Sequence, residues 1–227
     1  MISSFPRNSE EKAMVKASVI FAISLISLAT SMSASGALSN EGTGGKVLMV
    51  DDFDKKQMYN LLGGKTQGYE ESGVRCIPTF TENPDERHGE NGASLRLDFD
   101  VSKGISFSYY WSTLMVGRGL RGYDFLTFWL KDPQGGTEFT IELHQDVDGD
   151  GSYIMGVDKI SSVDVGQYID RYAVGKWQKI EIPLSRFSNI NDWSRILDIV
   201  FVFRNGRGIN KGTVFIDDLS FVTYVVR

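Results

Sequence analysis

Short runs in which apolar and polar residues alternate recur along the chain after Lys46, and glycine, asparagine or aspartate bounds most of them. Alternation with a period of two is typical of a β-strand that buries one face, and the bounding residue types favour turns. The pattern predicts nine strands: Val47–Phe53, Val74–Phe80, Ser94–Val101, Ser106–Trp111, Phe125–Lys131, Phe139–Gln145, Gln178–Pro183, Ile199–Phe203 and Val214–Phe221. Many short strands with regular turns predict an all-β fold, an antiparallel β-sandwich or jelly roll.

Two of these strands carry unusual side chains on the face that the alternation turns away from the core. In FLTFWLK the core face holds leucine and phenylalanine, and in EFTIELHQ it holds phenylalanine, isoleucine and leucine. The residues left on the other face are Trp129, Thr140, Glu142 and His144. If the two strands are adjacent, these side chains line one groove. The alternative is that Trp129 lies beneath a loop and the polar residues are solvated.

A pair of aspartates interrupts an apolar run near each end of the domain, in VLMVDDFD and in VFIDDLSF. Alternation places Asp51 with Met49 and Phe53, and Asp217 with Leu219, on faces that should be apolar. Because a buried carboxylate is costly without a partner, Asp51 or Asp52 and Asp217 predict that the first and last strands pair and share an ion. The alternative is a hydrogen-bonded carboxylate cluster without metal.

The segment QDVDGDGSY places Asp146, Asp148 and Asp150 at alternate positions before Gly151. This spacing begins an EF-hand calcium loop, but the twelfth position, where the loop needs a glutamate, is Val157. A strand rather than a helix precedes the segment. Two interpretations remain open, a calcium loop of another type and an acidic hairpin turn built on Asp-Gly.

Composition and motifs exclude several functions. The net charge of -5 and the lack of a basic stripe argue against nucleic-acid binding. The single cysteine, Cys76, excludes an intrachain disulfide, and we expect a buried thiol there. The sequence has no zinc-protease motif, nucleophile elbow or P-loop, so we expect no enzyme, with a glycan hydrolase or lyase as a minor alternative.

The first 37 residues have the order of a secretory signal peptide. Lys12 and Lys16 precede the apolar run Ala17–Ala29, and Ser35-Gly36-Ala37 offers a cleavage site. Met14 is a second candidate start, and an uncleaved anchor is the alternative to cleavage. We therefore expect a signal peptide over residues 1–37, a flexible lead-in over 38–45, and one domain over 46–227 without a membrane span. The expected location is secreted, periplasmic or at the cell surface.

An ordered series of segments resembles a known group of domains. The series is VDDFD, NLLGG, LRGYDFLTFWLKD, WQKIEIPLSRF and VFIDDLSF. It resembles the galactose-binding-like jelly rolls, and most closely the family 11 carbohydrate-binding modules; the complex I intermediate-associated protein domain shares the general pattern. The resemblance implies a non-catalytic module that binds β-glucan-like polysaccharide in a groove on one sheet, and a structural calcium at Asp51, Asp52 and Asp217. We also expect a monomer. The alternative is a protein-interaction module on the same fold.

The resemblance implies that Tyr110, Trp129 and Thr140 occupy the positions of the family's groove residues. The residue types at Trp129 and Thr140 differ from those of the family. Glu142 and His144, and Tyr153 after the acidic segment, are expected to compensate on the same face. An aromatic side chain stacks on the apolar face of a sugar ring, and polar side chains bind its hydroxyl groups.

Overall fold

The computed structural model describes residues 45–71, 73–103, 107–114 and 119–224. The expected signal peptide and residues 38–44 of the lead-in lie outside this part of the chain. The described residues form twelve strands: β1 Val47–Asp51, β2 Thr66–Gly68, β3 Glu70–Glu71, β4 Val74–Thr81, β5 Ser94–Asp100, β6 Phe107–Thr113, β7 Phe125–Lys131, β8 Phe139–Gln145, β9 Lys159–Asp164, β10 Trp177–Pro183, β11 Ile196–Arg204 and β12 Lys211–Val222.

The strands form two antiparallel sheets that pack face to face as a jelly-roll β-sandwich. One sheet has seven strands in the order β10-β7-β12-β5-β4-β3, with β1 paired to the end of β12. The other has five strands in the order β2-β6-β11-β8-β9. Two short 3-10 turns, Val165–Gln167 and Leu184–Arg186, complete the described elements. The all-β prediction is confirmed, and none of the described helical segments is long and apolar enough to cross a membrane.

The core lies between the sheets and is built by alternation along each strand. Leu126, Phe128 and Leu130 of β7 face inward at 1% exposure or less, as their pattern predicts. They meet Phe139, Ile141 and Leu143 of β8, and the phenylalanines of β11, across the sandwich. Burial of these side chains is the main driving force for the packing of the two sheets.

The nine predicted strands are all present, and three further strands escaped prediction. Strands β2 and β3 have three and two residues, which is too short for a period to appear. Strand β9 reads KISSVD and buries Ser161 beside Val163, so its inward face is only half apolar.

The first and last strands pair, as the two aspartate pairs predicted. We call the paired strands β1 and β12 the seam. In it Val47 is opposite Val222 and Asp51 is opposite Leu219. However, the expectation that Asp217 shares a face with Leu219 is wrong. Between Asp217 and Ser220, β12 advances by three residues while its partner β7 advances by two. The extra residue in β12 forms a β-bulge, in which Asp218 has a φ of 50°. The extra residue reverses the alternation, so that Leu219 faces the core while Asp217 lies on the outer face beside Trp129.

Candidate functional site

The outer face of the five-stranded sheet carries a row of aromatic side chains. Strand β6 reads FSYYWST, and its outward residues are Phe107, Tyr109 and Trp111. Tyr69, just before β3, stacks on Tyr109 with ring centroids 4.7 Å apart and an interplanar angle of 12°. All four rings remain partly exposed. We call these four residues the aromatic strip, and the outer surface of this sheet the aromatic face.

Strand β11 forms the middle of the aromatic face. Val200 is opposite Trp111 on one side and Glu142 on the other, and Val202 is flanked by Tyr109 and Thr140 in the same way. Residues opposite each other in a sheet share one face, so these pairs fix the arrangement. The face therefore presents an aromatic strip, a narrow apolar floor and a polar row in parallel.

The polar row consists of Thr140, Glu142 and His144 on β8, with Asp198 of β11 beside it. All four are less than 10% exposed. His144 lies between two carboxylates: its Nδ1 is 3.4 Å from Oδ2 of Asp198 and its Nε2 is 3.8 Å from Oε2 of Glu142. Arg204 donates to Glu142 Oε1 over 2.8 Å. The structure thus brings together the predicted residues Thr140, Glu142 and His144, and adds Asp198.

The two carboxylates control the charge of His144. Burial alone disfavours the imidazolium, but Asp198 and Glu142 outweigh it and raise the pKa of His144 to about 9. Burial likewise opposes ionisation of Glu142, yet His144 and Arg204 hold its pKa below the usual value. At neutral pH the row therefore contains an imidazolium beside an ionised Glu142.

Tyr153 completes this end of the aromatic face, as the sequence predicted. It follows the acidic segment in the β8–β9 loop, and its ring stacks on His144 with centroids 4.2 Å apart. The partly buried phenol has a raised pKa because of burial and the nearby carboxylates Glu142 and Asp158. The stacking holds the imidazole ring in its plane between the two carboxylates.

Tyr110 does not lie on the aromatic face. It is 1% exposed and packs in the core against Phe201. Burial raises the pKa of its phenol far above the usual range. Its neighbours Tyr109 and Trp111 face outward instead, because successive residues of a strand point to opposite faces.

Trp129 lies on the other side of the molecule, which corrects the expected single groove. Strand β7 belongs to the seven-stranded sheet and β8 to the five-stranded sheet, so the two are not adjacent. His88, from the loop between β4 and β5, stacks on Trp129 at 4.2 Å, and Trp177 adjoins His88. The structure corresponds to the alternative in which a loop covers Trp129.

The aspartates of the seam are buried and short of positive partners. Asp51 is 4% exposed and accepts from the Phe53 amide, and Asp217 is 5% exposed and accepts from the Asp218 amide and the Ser94 hydroxyl. Burial raises the pKa of each to about 7, and the neighbouring Asp52 and Asp218 add to this effect. Asp51 is opposite the core residue Leu219, whereas Asp217 lies on the outer face beside Trp129. The described residues therefore do not bring Asp51, Asp52 and Asp217 together in one group of acidic side chains, and the structural calcium stays a prediction.

The acidic loop groups its carboxylates differently from the prediction. Among the described residues, one group of three acidic side chains has oxygens within 4.8 Å of one another, and it consists of Asp146, Asp148 and Asp158. Asp150 accepts only locally, from the Ser152 amide. Both oxygens of Asp146 and of Asp158 accept backbone amides of the loop. These bonds order the loop without a metal, and a cation here would meet Asp158 in place of Asp150.

The aromatic strip is the part of the site that sequence reasoning missed. The signal is present in FSYYWST, because alternation places three aromatic residues on one face and two serines with Tyr110 on the other. The apolar face of such a strand is normally expected to be the buried one. Here Ser108 and Ser112 face inward, where Ser112 accepts from Asn60 and Ser108 donates to the Tyr69 carbonyl.

Two clefts lie away from the aromatic face. One, of about 680 Å³, is at an end of the sandwich between Tyr123, Trp193 and Tyr224. The other, of about 280 Å³, lies on the seven-stranded sheet near Arg96 and Phe215. The aromatic face itself is an open surface, which suits an extended ligand better than a small enclosed one.

A β-sandwich with an open sheet face that carries aromatic rings beside a polar row has the architecture of a carbohydrate-binding module. The sequence matches the profile of carbohydrate binding domain 30 over residues 59–223, and the chain belongs to this family. A search among curated proteins finds no match.

Solved structures of such modules share the fold. A family 30 carbohydrate-binding module superposes with a TM-score of 0.56 at 19% identity, covering 70% of this chain and 91% of the module. A family 11 module of a cellulosomal cellulase of Clostridium thermocellum superposes with a TM-score of 0.56 at 16% identity, covering 82% of this chain and 98% of the module. A family 11 module from the same organism, in complex with a β-1,3-1,4-mixed-linked tetrasaccharide, has a TM-score of 0.55 at 16% identity. The match covers 82% of this chain and 99% of the module. The predicted resemblance to carbohydrate-binding modules is confirmed, with the family match falling on family 30.

Proposed function

We propose that this protein binds a β-glucan-like polysaccharide on the aromatic face and does not act on it chemically. The observation that carries the proposal is the aromatic strip running beside the polar row on one sheet. Alternate residues of a strand are roughly 7 Å apart, so the rings from Phe107 to Trp111 extend over roughly 14 Å. That length suits an elongated ligand that contacts several rings in succession.

The two halves of the face would supply different parts of the binding energy. Flat, rigid rings remove the apolar faces of sugar residues from water at a small cost in side-chain entropy. The carboxylates and the hydroxyl of Thr140 accept hydrogen bonds from sugar hydroxyl groups and so fix the orientation of the chain. The mixed-linked tetrasaccharide bound by the family 11 module makes β-glucans the first ligands to test.

The protonation of the face supports a non-catalytic role. A glycoside hydrolase needs one carboxylic acid that keeps its proton near neutral pH. On the aromatic face, His144 and Arg204 hold the pKa of Glu142 below its usual value. The carboxyl groups with a pKa of about 7, Asp51 and Asp217, lie instead in the buried seam. The residues of the face are therefore suited to hydroxyl binding rather than to proton donation.

We also propose that the protein is exported and meets its ligand outside the cell or at its surface. The support is the signal-like order of residues 1–37, and the mature protein would begin at Leu38. Mass determination of the exported protein tests this directly, because retention of the leader would contradict cleavage after Ala37.

Binding is tested by affinity electrophoresis of residues 38–227 in gels containing mixed-linkage β-glucan, hydroxyethylcellulose or xylan, with titration calorimetry on soluble oligosaccharides. We expect retardation by at least one glucan. Trp111→Ala should weaken binding at least about tenfold, because it removes a stacking ring from the strip.

Trp129→Ala is the matched control, because it removes the same side chain from the opposite sheet. It should leave the affinity at the value of the unaltered protein. The reverse pattern, with Trp129→Ala weakening binding and Trp111→Ala neutral, would move the site to the seven-stranded sheet. No retardation by any polysaccharide of the panel would reject the proposed function.

One observation favours a second candidate function, the binding of a protein. The β8–β9 loop exposes several apolar side chains beside the aromatic face; these are Val147, Ile154, Met155 and Val157, each between 40% and 47% exposed. Exposed apolar groups gathered in one loop are typical of interaction sites. This role would be supported if Ile154→Ser leaves glycan binding unchanged and abolishes capture by a surface protein.

A further inference from the structure

The polar row contains hydrogen-bonding atoms that the described protein does not satisfy. His144 is 8% exposed, and neither of its ring nitrogens has a hydrogen-bond partner within the described residues. Its distances of 3.4 Å to Asp198 and 3.8 Å to Glu142 exceed the 2.7–2.9 Å typical of a charge-assisted hydrogen bond. Thr140 is 7% exposed, and its Oγ1 is likewise without a partner there.

Unsatisfied polar atoms at this degree of burial are unusual in a protein and call for an explanation. On the aromatic face they belong to Thr140 and His144, which lie on either side of Glu142 on β8, and Asp198 of β11 is opposite His144. Carboxylate oxygens can only accept hydrogen bonds, and a threonine hydroxyl can donate or accept. A ligand that presents several hydroxyl groups supplies what this group lacks.

We propose that Asp198 and Glu142, with His144 held between them as a positioning residue, form a subsite that binds two hydroxyl groups of one uncharged sugar residue and disfavours acidic sugars. Asp198 is thereby assigned as a ligand-binding residue. The inference rests on the proposed function, because it specifies which sugars the aromatic face accepts.

His144 makes such a subsite possible. Two carboxylates buried close together would otherwise repel each other, and one of them would take up a proton and lose its acceptor character. The imidazolium lies between them, and Arg204 neutralises Glu142 from the other side. The stacked ring of Tyr153 prevents the imidazole from turning out of this position. Both carboxylates therefore face a positive charge and keep fixed directions.

The same arrangement predicts selectivity by charge. An uncharged sugar residue donates its hydroxyl hydrogens to the two carboxylates, and these bonds are stronger than those between neutral groups. A uronic acid brings a third carboxylate in place of a hydroxyl donor. Asp198 and Glu142 repel this carboxylate, and the cations of the site, His144 and Arg204, are already paired with them. Substitutions that change the charge of the subsite should therefore change this selectivity with a predictable sign.

The experiment compares cellohexaose with the same oligosaccharide oxidised at C6 to glucuronate residues, using calorimetry on the full domain at pH 7. Asp198→Asn, Glu142→Gln and His144→Gln are close to isosteric and alter the charge of the subsite by one unit each. His88→Gln is the matched control, because it changes the other histidine of the chain, which lies on the opposite sheet.

We expect Asp198→Asn and His144→Gln each to weaken cellohexaose binding about tenfold, the range of one lost hydrogen bond to a charged group. The affinity for the oxidised ligand divided by the affinity for cellohexaose should change in opposite directions in the carboxylate variants and in the histidine variant. Asp198→Asn and Glu142→Gln should raise binding of the oxidised ligand relative to cellohexaose, and His144→Gln should lower it. A loss of packing alone would weaken both ligands together and leave the ratio unchanged.

The inference is overturned if the ratio stays constant in all three variants, or if His144→Gln shifts it in the same direction as Asp198→Asn. If His144→Gln does not fold, Asp198→Asn and Glu142→Gln still test the inference, because both are expected to raise binding of the oxidised ligand relative to cellohexaose. Absence of cellohexaose binding by the unaltered protein would instead reject the proposed function, and a weakened His88→Gln variant would show that the effect is not confined to this face.

Discussion

At the scale of single residues, the neighbours Tyr109 and Tyr110 show how completely position decides role. Tyr109 stacks on Tyr69 on the outer surface, while Tyr110 is closed into the core one residue later. Both are tyrosines in one uninterrupted strand pattern, so their residue type carries no information about which is buried. Alternation states only that they face opposite ways.

The two tyrosines should therefore give opposite phenotypes when truncated. Tyr110→Ala should lower the free energy of unfolding by about 3–5 kcal/mol, as expected for a large buried aromatic side chain. Tyr109→Ala should cost about 1 kcal/mol and weaken glucan binding at least about tenfold. Urea denaturation and calorimetry measure both. Loss of affinity in a Tyr110→Ala variant of unaltered stability would contradict the assignment of faces.

The buried aspartates of the seam predict an unusual pH dependence. Burial raises the pKa of Asp51 and of Asp217 to about 7 in the folded protein, whereas unfolded aspartates titrate near 4. The folded state binds more protons between these values, so the contribution of these residues to stability is full below about pH 4 and is lost as the pH rises through 7.

We accordingly expect the melting temperature, measured in a chelator, to fall between pH 5 and pH 7.5. Asp217→Asn should make this fall smaller by at least about 3 °C, because the amide needs no proton. Calcium added at pH 7.5 should restore the stability of the unaltered protein if the seam binds the ion. An identical fall in both proteins would show that Asp217 does not keep its proton when the chain folds.

At the scale of elements, two local irregularities override patterns that the sequence states clearly. The bulge at Asp218 reverses the alternation of β12, so one half of the strand faces the core with Val214 and Ile216 and the other half with Leu219 and Phe221. The sequence does contain a polar pair at this point, and aspartate adopts a positive φ more readily than most residues, but nothing in the local pattern demands it.

The β8–β9 loop is the second such element. Its aspartate spacing resembles a calcium loop, yet its closure depends on Asp158, eleven residues from the Val147 amide that it accepts. That contact joins the two ends of the loop and places Tyr153 over His144. An interaction of this range is decided by the path of the chain rather than by a local motif.

Replacing Asp158 should therefore open the loop, while replacing Asp150 should not. Asp158→Ala removes the acceptors for the Val147 and Ile154 amides, and Asp150→Ala removes only the one for the Ser152 amide. We expect faster hydrogen exchange over residues 146–158 in the first variant alone. If the loop holds calcium, the ion should slow exchange in the unaltered protein and have no effect on Asp158→Ala. Equal exchange in both variants would argue against the closing role of Asp158.

At the scale of the whole molecule, the decisive fact is which strand belongs to which sheet. The strands β7 and β8 follow each other along the chain, and their sequences place Trp129 and His144 on similar outward positions. The jelly roll assigns them to different sheets, so the two side chains lie on opposite surfaces. Neither the periodicity nor the length of the connection between them determines this, because it follows from the pairing of β7 with β10 and β12.

The sequence by itself determined the fold class, the positions of nine of the twelve described strands, the pairing of the first strand with the last, and the group Thr140, Glu142 and His144. It could do so because alternation is a local property and because these polar residues share one strand. Only the tertiary structure decided that the aromatic side of β6 faces outward, that Asp198 joins His144, and that Trp129 is covered by His88. These depend on which strands meet and on which face the other sheet covers, and those contacts join residues far apart in the chain.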